Sequence, residues 1–566
     1  MKLLSILTEN APGKVFVSLL LGALAGVCYA LLIPLVTSSF DSNLGFETQT
    51  RGVITVLGIE VASYRFAFLF LCACLLIYVA RTCSQLLLLN VVIDATSSLR
   101  KKYFYMILRA PLQKLEKAGS PRLIASITTD VRSILDGASR VPDILINSVS
   151  ILGMLLFILY LNTDVFIFIC SAIAFGVVSF FIPVLLGNRY FTKARESVDE
   201  LQQAIKGNIY GVKELKLSKQ KREAYFSDVL LQKESDVRSS NKKGALILTA
   251  AVNYGDMISF FIVGYVTFIF VNYHAIGTAE IMAIVMVLLF LTGPASVLMQ
   301  AIPEIVKANV SLSKLDELFR LLPEEQINPK VQALNEWQQI SFNKVTFSYE
   351  DDEQVDTEQF HVGPVSFSIQ RGDITFIVGG NGSGKSTISK ILTGHYQPKT
   401  GSLKLDNLVI GPELLSSYRD QVAAIYTDYY LFDQLLGLTS SLSTQEIDQY
   451  LGLLKLEHKV TVENGHFSSL ALSDGQRKRL ALLVSFLEDK DIYLFDEWAA
   501  DQDPIFKDFF YQEILPQLKQ RNKVVIVISH DDRYFDVADK LIVMEEGQLL
   551  EVRTGDSQDS NTRVVA

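Results

Sequence analysis

Six stretches of the chain carry almost no charge: 15–36, 66–80, 144–163, 165–188, 257–279 and 281–303. A helix needs about 20 apolar residues to cross a bilayer, and most of these runs reach that length. The second run continues past Arg81 as Thr82-Cys83-Ser84-Gln85-Leu86, and the fifth starts near Ala245 and contains Asp256. The pattern therefore predicts six spanning helices, at about 15–36, 66–90, 144–163, 165–188, 245–271 and 279–302. Only Asn162-Thr163-Asp164 separates the third from the fourth, and the fifth and sixth close tightly near 272–280. The first run is too long for a cleaved leader and stays as a span. The segments 94–140 and 189–243 repeat Leu, Ile, Lys and Glu at helical spacing, which predicts long helices leaving the membrane. From Trp337 the pattern changes to short β-rich runs between helical stretches, such as 374–378, 491–495 and 523–529. That alternation predicts a parallel α/β sheet. The domains are thus 1–303 in the membrane, a connection at 304–336, an α/β domain at 337–553 and a polar, disordered tail at 554–566.

Charge adds a direction. Residues 94–140 hold 9 Lys and Arg, and 189–243 hold 13, whereas the opposite loops have only Arg51 and Arg65. Basic loops stay on the cytoplasmic side, so both termini and the α/β domain are expected there too. Residues 1–335 carry 31 basic and 25 acidic side chains, and 336–566 carry 21 and 36. An acidic α/β half speaks against nucleic acid as a partner, since phosphate backbones need a basic surface. The five cysteines all lie in apolar stretches without a metal-ligand spacing, which excludes a zinc site and a disulfide scaffold. Among charges near spans, Arg65, Arg81, Asp94, Asp256 and Glu280, only Asp256 falls well inside one, which makes it a candidate for a cavity.

The strand at 374–378 runs into Gly379-Gly380-Asn381-Gly382-Ser383-Gly384-Lys385-Ser386-Thr387. This is a complete phosphate-binding loop in its strand-to-helix setting. Its backbone N–H groups and the following helix N-terminus favour β- and γ-phosphates. Lys385 is expected on those phosphates and Ser386 on Mg²⁺. The strand at 491–495 ends in Asp496 and Glu497. Asp496 is the expected Mg²⁺ partner, and Glu497 the group that orients and polarises an attacking water.

Between those strands, Leu472-Ser473-Asp474-Gly475-Gln476 resembles the signature sequence of ATP-binding cassette (ABC) proteins. The resemblance extends over nearly the whole chain, since six spans followed by one cassette is the layout of an ABC exporter half-transporter. It implies ATP and Mg²⁺ as ligands. It further implies Tyr349 stacking on adenine, Asp503 in the loop after the Glu, and His530 contacting the γ-phosphate. It also implies a homodimer in which Ser473, Gly475 and Gln476 face the nucleotide of the partner. Asp496-Glu497-Trp498-Ala499-Ala500-Asp501-Gln502-Asp503-Pro504 is similar to the cyclic-peptide exporter group, which includes exporters of peptide siderophores. One departure stands out. Where the family places a glutamine that contacts Mg²⁺ and the membrane domain, this chain has Thr427, with Asp428 beside it as an alternative oxygen donor. The expectation is an ATP-driven exporter of a peptide in a bacterial inner membrane, surrounded by lipid and served by accessory proteins. A lipid or hydrophobic-drug exporter is the alternative within the class, and an ATP-gated channel or sensor the alternative outside it.

Overall fold

The computed structural model describes residues 7–9, 11–44, 54–56, 59–61, 64–272, 277–325, 327, 334, 336–349, 360–438 and 443–554. The chain divides into two compact units, 1–104 with 121–319, and 105–120 with 320–566.

The first unit is helical. Its long helices are α1 (Pro12–Leu44), α2 (Tyr64–Arg109), α3 (Val141–Leu161), α4 (Thr163–Tyr210), α5 (Leu231–Phe268) and α6 (Thr278–Leu321). Six helical stretches among the described residues are long and apolar enough to cross a membrane. The helices outrun the apolar runs. α4 has 48 residues, about 70 Å at 1.5 Å per residue, so more than half of it lies beyond a hydrocarbon core of about 30 Å. Likewise α6 continues through most of the segment expected as a connection and ends at Leu321. Asn162 starts α4 by accepting hydrogen bonds from the N–H groups of Asp164 and Val165.

Small residues let these helices touch. A side chain on Gly26 would meet the Ile146 carbonyl at 2.7 Å, and one on Gly153 would meet Ala30 at 2.5 Å. Backbones in lipid approach in this way because no hydrophobic force distinguishes a neighbour from a lipid tail. Ser18 and Ser84 each donate to the other's carbonyl at 2.7 Å, joining α1 to α2. Phe16, Leu20, Phe68, Leu71 and Leu75 remain exposed, which suits a lipid-facing surface. All five cysteines are free. Arg81 finds Asp143 at 4.0 Å and Gln85 donates to the same carboxylate at 2.7 Å; Asp143 had no signal in the sequence pattern. Asp256 falls on α5, and its side chain lies outside the described residues.

The second unit is α/β. Its main sheet uses β1 (Ile374–Gly379), β2 (Val422–Ile425), β3 (Ile492–Asp496), β4 (Val524–Ile528), β5 (Lys540–Glu545) and β6 (Gln548–Thr554), in the order β6-β5-β1-β4-β3-β2. All neighbours are parallel except β5 and β6. β3 and β4 are buried along their length, as strands covered on both faces must be. The register sets Asp496 beside Ile528 and Val525 beside Ile374. A second sheet of four antiparallel strands includes Gln339–Ser348 and His361–Gln370. Thr554, expected to open the tail, instead closes β6, and the rest of that tail lies outside the described residues. The short helix Leu112–Ala118 packs in this unit. Its Glu116 accepts from Lys390 at 2.7 Å and from the Tyr396 hydroxyl.

Candidate functional site

β1 delivers the chain into the phosphate loop. Gly379 has φ +153, and a side chain there would meet the Met544 carbonyl at 2.1 Å. Gly382 and Gly384 have φ +79 and +95, the left-handed region that glycine enters without steric cost. Asn381 is exposed at the loop's outer rim. Helix α7 (Lys385–Leu392) follows directly, with Gly384 at its N-terminus. Lys385 is 7% exposed, and its Nζ donates to the Gly379 and Gly380 carbonyls at 2.8 Å. Burial lowers its pKa, with Glu497 and Asp496 opposing that effect. The Ser383 hydroxyl is buried without a hydrogen-bond partner. A buried polar atom left unpaired is costly, and this one sits in the loop that cradles phosphate. Ser386 is exposed in the first turn of α7, and Thr387 Oγ1 lies 2.9 Å from the Tyr349 hydroxyl. Tyr349 keeps 39% of its surface open, edge-on to Phe347 and Tyr396.

Beside the loop, Asp496 ends β3 and is 6% exposed. Burial, then the charges of Glu497 and Asp428, push its pKa up to about 6, against the pull of Lys385. Glu497 follows with φ +51. Its Oε1 lies 3.2 Å from His530 Nε2. Two residues 33 positions apart, read separately in the sequence, therefore meet at hydrogen-bond distance. Among the described residues Thr427 Oγ1 donates to the Asp496 carbonyl at 3.5 Å, and Asp428 acts on the Asp496 carboxyl through its charge.

The signature residues sit elsewhere in the unit. Ser473 caps helix α8 (Asp474–Glu488), accepting from the Gln476 N–H while the Gln476 side chain accepts from the Ser473 N–H. A side chain on Gly475 would meet the Asp501 carbonyl at 2.8 Å. Asp503 caps the helix Pro504–Phe509, accepting from the Phe506 N–H at 2.9 Å and from Arg479 at 2.5 Å. Those contacts hold its carboxyl below the usual range, the Phe506 N–H most of all. Among the described residues, the hydrogen bonds of Ser473, Gly475, Gln476 and Asp503 stay within the signature helix, the turn after β3 and the helix Pro504–Phe509. None reaches the phosphate loop.

Sequence reasoning left two contacts here unread. Trp498, 1% exposed, stacks on Phe510 at 4.3 Å and donates from Nε1 to the Lys478 carbonyl at 2.9 Å. Lys478 is buried, and its Nζ donates to the Glu497 carbonyl at 3.0 Å. The unusual tryptophan after Asp-Glu was legible, and its core position explains it. Nothing in the sequence marked Lys478.

Comparison with known proteins agrees in both halves. The ABC transporter transmembrane region matches residues 15–295, and the ABC transporter ATP-binding family matches 362–500. The ATP-binding protein SyrD of Pseudomonas syringae pv. syringae is 30% identical over 557 residues, 96% of this chain and 95% of that one. The chain belongs to the ABC transporter family. An ATP-dependent lipid A-core flippase of Albidiferax ferrireducens is 23% identical over 90% of this transporter and 87% of its own length. A lactococcin transport/processing ATP-binding protein LcnC-like of Lactococcus lactis is 24% identical over 76% of this transporter and 60% of its own length. A bacterial Atm1-family ABC exporter solved with ATP bound superposes with a TM-score of 0.72 at 17% identity, over 97% and 96% of the two chains. The transporter thus has the exporter fold, six spans in a membrane and an ATP-binding domain that drives transport by ATPase activity.

The residues present fit a magnesium nucleotide. Among the described residues no three His, Cys, Asp or Glu side chains converge into a cage. Magnesium is reluctant to dehydrate and shares one or two protein oxygens with phosphate oxygens and water. Ser386 and the buried Asp496 offer that donor set.

Proposed function

We propose that the chain is a homodimeric peptide exporter of a bacterial inner membrane, with both termini and the cassettes in the cytoplasm. The observation that carries the hydrolytic part is the Glu497–His530 contact at 3.2 Å beside the phosphate loop. Lys385 and the loop N–H groups hold the β- and γ-phosphates, and the exposed Tyr349 ring takes the adenine. Ser386 and Asp496 hold Mg²⁺, which neutralises developing phosphate charge. Thr427 and Asp428 stand where the usual glutamine would, and either could add an oxygen. Glu497 orients a water and accepts its proton as the water oxygen attacks the γ-phosphorus and the bond to the β-phosphate oxygen breaks. His530 holds Glu497 and the γ-phosphate in register. Among the described residues, Ser473, Gly475, Gln476 and Asp503 make no hydrogen bond to the phosphate loop of their own chain. That supports a two-fold dimer in which they close the partner's nucleotide site.

For the cargo, relatives named for lactococcin and subtilin transport and the Asp-Glu-Trp-Ala-Ala-Asp-Gln-Asp-Pro stretch support a peptide, cyclic or siderophore-like. The flippase names among the relatives favour a lipid as the second reading. ATPase activity of the protein in lipid nanodiscs separates them. Stimulation by cyclic peptides or peptide siderophores supports export of peptides. Stimulation by lipid alone would replace that reading with the flippase. In the same assay Glu497→Gln should bind ATP and stall, and normal turnover by that variant would remove Glu497 from its role.

A further inference from the structure

Glu497 carries a Cβ and yet has φ +51 and ψ 31, in the left-handed region. Such a backbone persists only where neighbours over-determine it. Its N–H donates to the Ile528 carbonyl of β4 at 3.0 Å. Its carbonyl takes two donors, the Ala500 N–H at 3.2 Å and Lys478 Nζ at 3.0 Å. The lysine is the contact that does not come from the local backbone.

Lys478 is an unusual residue to bury. Its side chain is 5% exposed, and Nζ also meets Asp501 Oδ2 at 2.7 Å. Its own carbonyl accepts from the Trp498 indole at 2.9 Å. The turn after β3 and helix α8 are therefore laced in both directions, side chain to main chain each way. A long ammonium side chain is seldom fully buried unless it is paired, and here its partners are the carbonyl of the expected base and a carboxylate four residues on.

We propose that Lys478 is a positioning residue for hydrolysis: it fixes the left-handed backbone of Glu497 and thereby aims its carboxylate at His530 and the water. This rests on Glu497 being the water-orienting group. Without the ammonium, the Glu497 carbonyl loses the donor that pins it, the turn relaxes, and the carboxylate moves by a fraction of an ångström or more. Misplacement of about 1 Å is enough to cost about a hundredfold in rate. Among the described residues, the phosphate loop, Tyr349 and the Ser473 cap make no hydrogen bond or ion pair with the Lys478 ammonium, whose partners are the Glu497 carbonyl and Asp501, so nucleotide binding is expected to persist.

The test uses the full-length transporter in nanodiscs. Lys478→Met keeps the stem and removes the charge; Lys478→Arg keeps a charged donor. Lys478→Met should lower kcat at least about tenfold with KM for ATP and binding of a non-hydrolysable nucleotide within about threefold, and Lys478→Arg should recover most of the loss. Lys478→Met in a Glu497→Gln background should add no further loss, because both remove one device. Wild-type kcat in Lys478→Met, parallel changes in KM and nucleotide binding, or additive losses with Glu497→Gln would each overturn the proposal. Should Lys478→Met fail to fold, Asp501→Asn decides. That exposed carboxylate tethers Nζ, so the variant should lose several-fold in kcat at constant KM, and an unchanged kcat would overturn the proposal. Normal hydrolysis by Glu497→Gln would instead sink the reading of Glu497 on which all of this stands.

Discussion

Asp496→Asn tests the electrostatics of the site directly. An ordinary aspartate titrates near 3.8, and burial with Glu497 and Asp428 nearby pushes this one to about 6. That gap corresponds to about 3 kcal/mol disfavouring the ionised form. The sign follows from linkage. A carboxyl whose folded pKa is raised contributes stability that is fully present below 3.8 and is lost as pH rises through about 6. Without nucleotide, wild-type protein should therefore lose up to about 3 kcal/mol from this group between pH 4 and pH 7. Asp496→Asn should be the more stable at pH 7.5, with the advantage shrinking toward pH 5. Metal-bound nucleotide needs the ionised carboxylate, so its affinity follows the opposite course. The ratio of wild-type to Asp496→Asn affinity should be flat above about pH 7 and fall toward tenfold per pH unit below about 6. The nucleotide's own phosphate titration is common to both proteins and cancels in that ratio. The assays are thermal unfolding without nucleotide and titration with a fluorescent, non-hydrolysed nucleotide in magnesium, both in nanodiscs from pH 5 to 7.5. A ratio that stays constant across that range, or a wild type that gains stability on Asp496→Asn as pH rises, would refute the assignment of Asp496 as a buried carboxyl held for a cation.

Tyr349→Ala should weaken ATP binding by about 1–3 kcal/mol, the range for one stacked base, with kcat at saturation little changed; equilibrium nucleotide titration reads it. Trp498→Phe keeps an aromatic ring against Phe510 but removes the indole donor to Lys478, which should cost about 1 kcal/mol. Trp498→Ala should cost about 3–5 kcal/mol through the cavity, and both are measured by thermal unfolding. Glu116→Gln replaces the acceptor shared by Lys390 and Tyr396. Basal ATPase activity should persist, while stimulation by cargo should fall severalfold, which paired measurements with and without peptide would show.

The spans were legible because a bilayer imposes one length and one composition, and 144–163 lies almost on α3, Val141–Leu161. The far ends of the helices were less so. Past residue 188 no unbroken apolar run marks the end of a span, but Val198, Leu201, Ile205 and Ile209 at helical spacing among charged residues still mark α4, which continues to Tyr210 before Gly211. The phosphate loop was legible for a different reason: three glycines at positive φ and a lysine folded onto the loop carbonyls leave few alternatives to the residues found there. The contacts that aim Glu497 were not. A left-handed φ in a glutamate has no compositional signal, and the Lys478 ammonium finds its partner only after α8 has packed against β3. Membership of residues 105–120 in the cassette unit was equally hidden, because its contacts, Arg109 to Glu324, Leu112 on the α/β core, and Glu116 to Lys390 and Tyr396, join residues far apart along the chain.

That last contact gives the sequence's one clear departure a physical context. The family's glutamine joins the metal to the membrane domain, and Thr427 here makes a long contact to a carbonyl. The neighbouring side chains are otherwise engaged: Tyr426 bonds Thr393 at 2.6 Å, and Thr393 in turn bonds His395 at 2.7 Å. Burial and the Arg419 charge lower the His395 pKa, so this network stays neutral at physiological pH. Glu116 instead ties the segment that follows α2 to Lys390 on the phosphate-loop helix and to Tyr396. The Tyr396 ring stacks on Phe347 at 4.8 Å and lies edge-on to Tyr349. Nucleotide at Tyr349 and Lys385, as proposed above, would act on the two elements that hold Glu116. In this chain the adenine side of the site has a charged and aromatic route to the segment leading out of α2, whether or not Thr427 takes part.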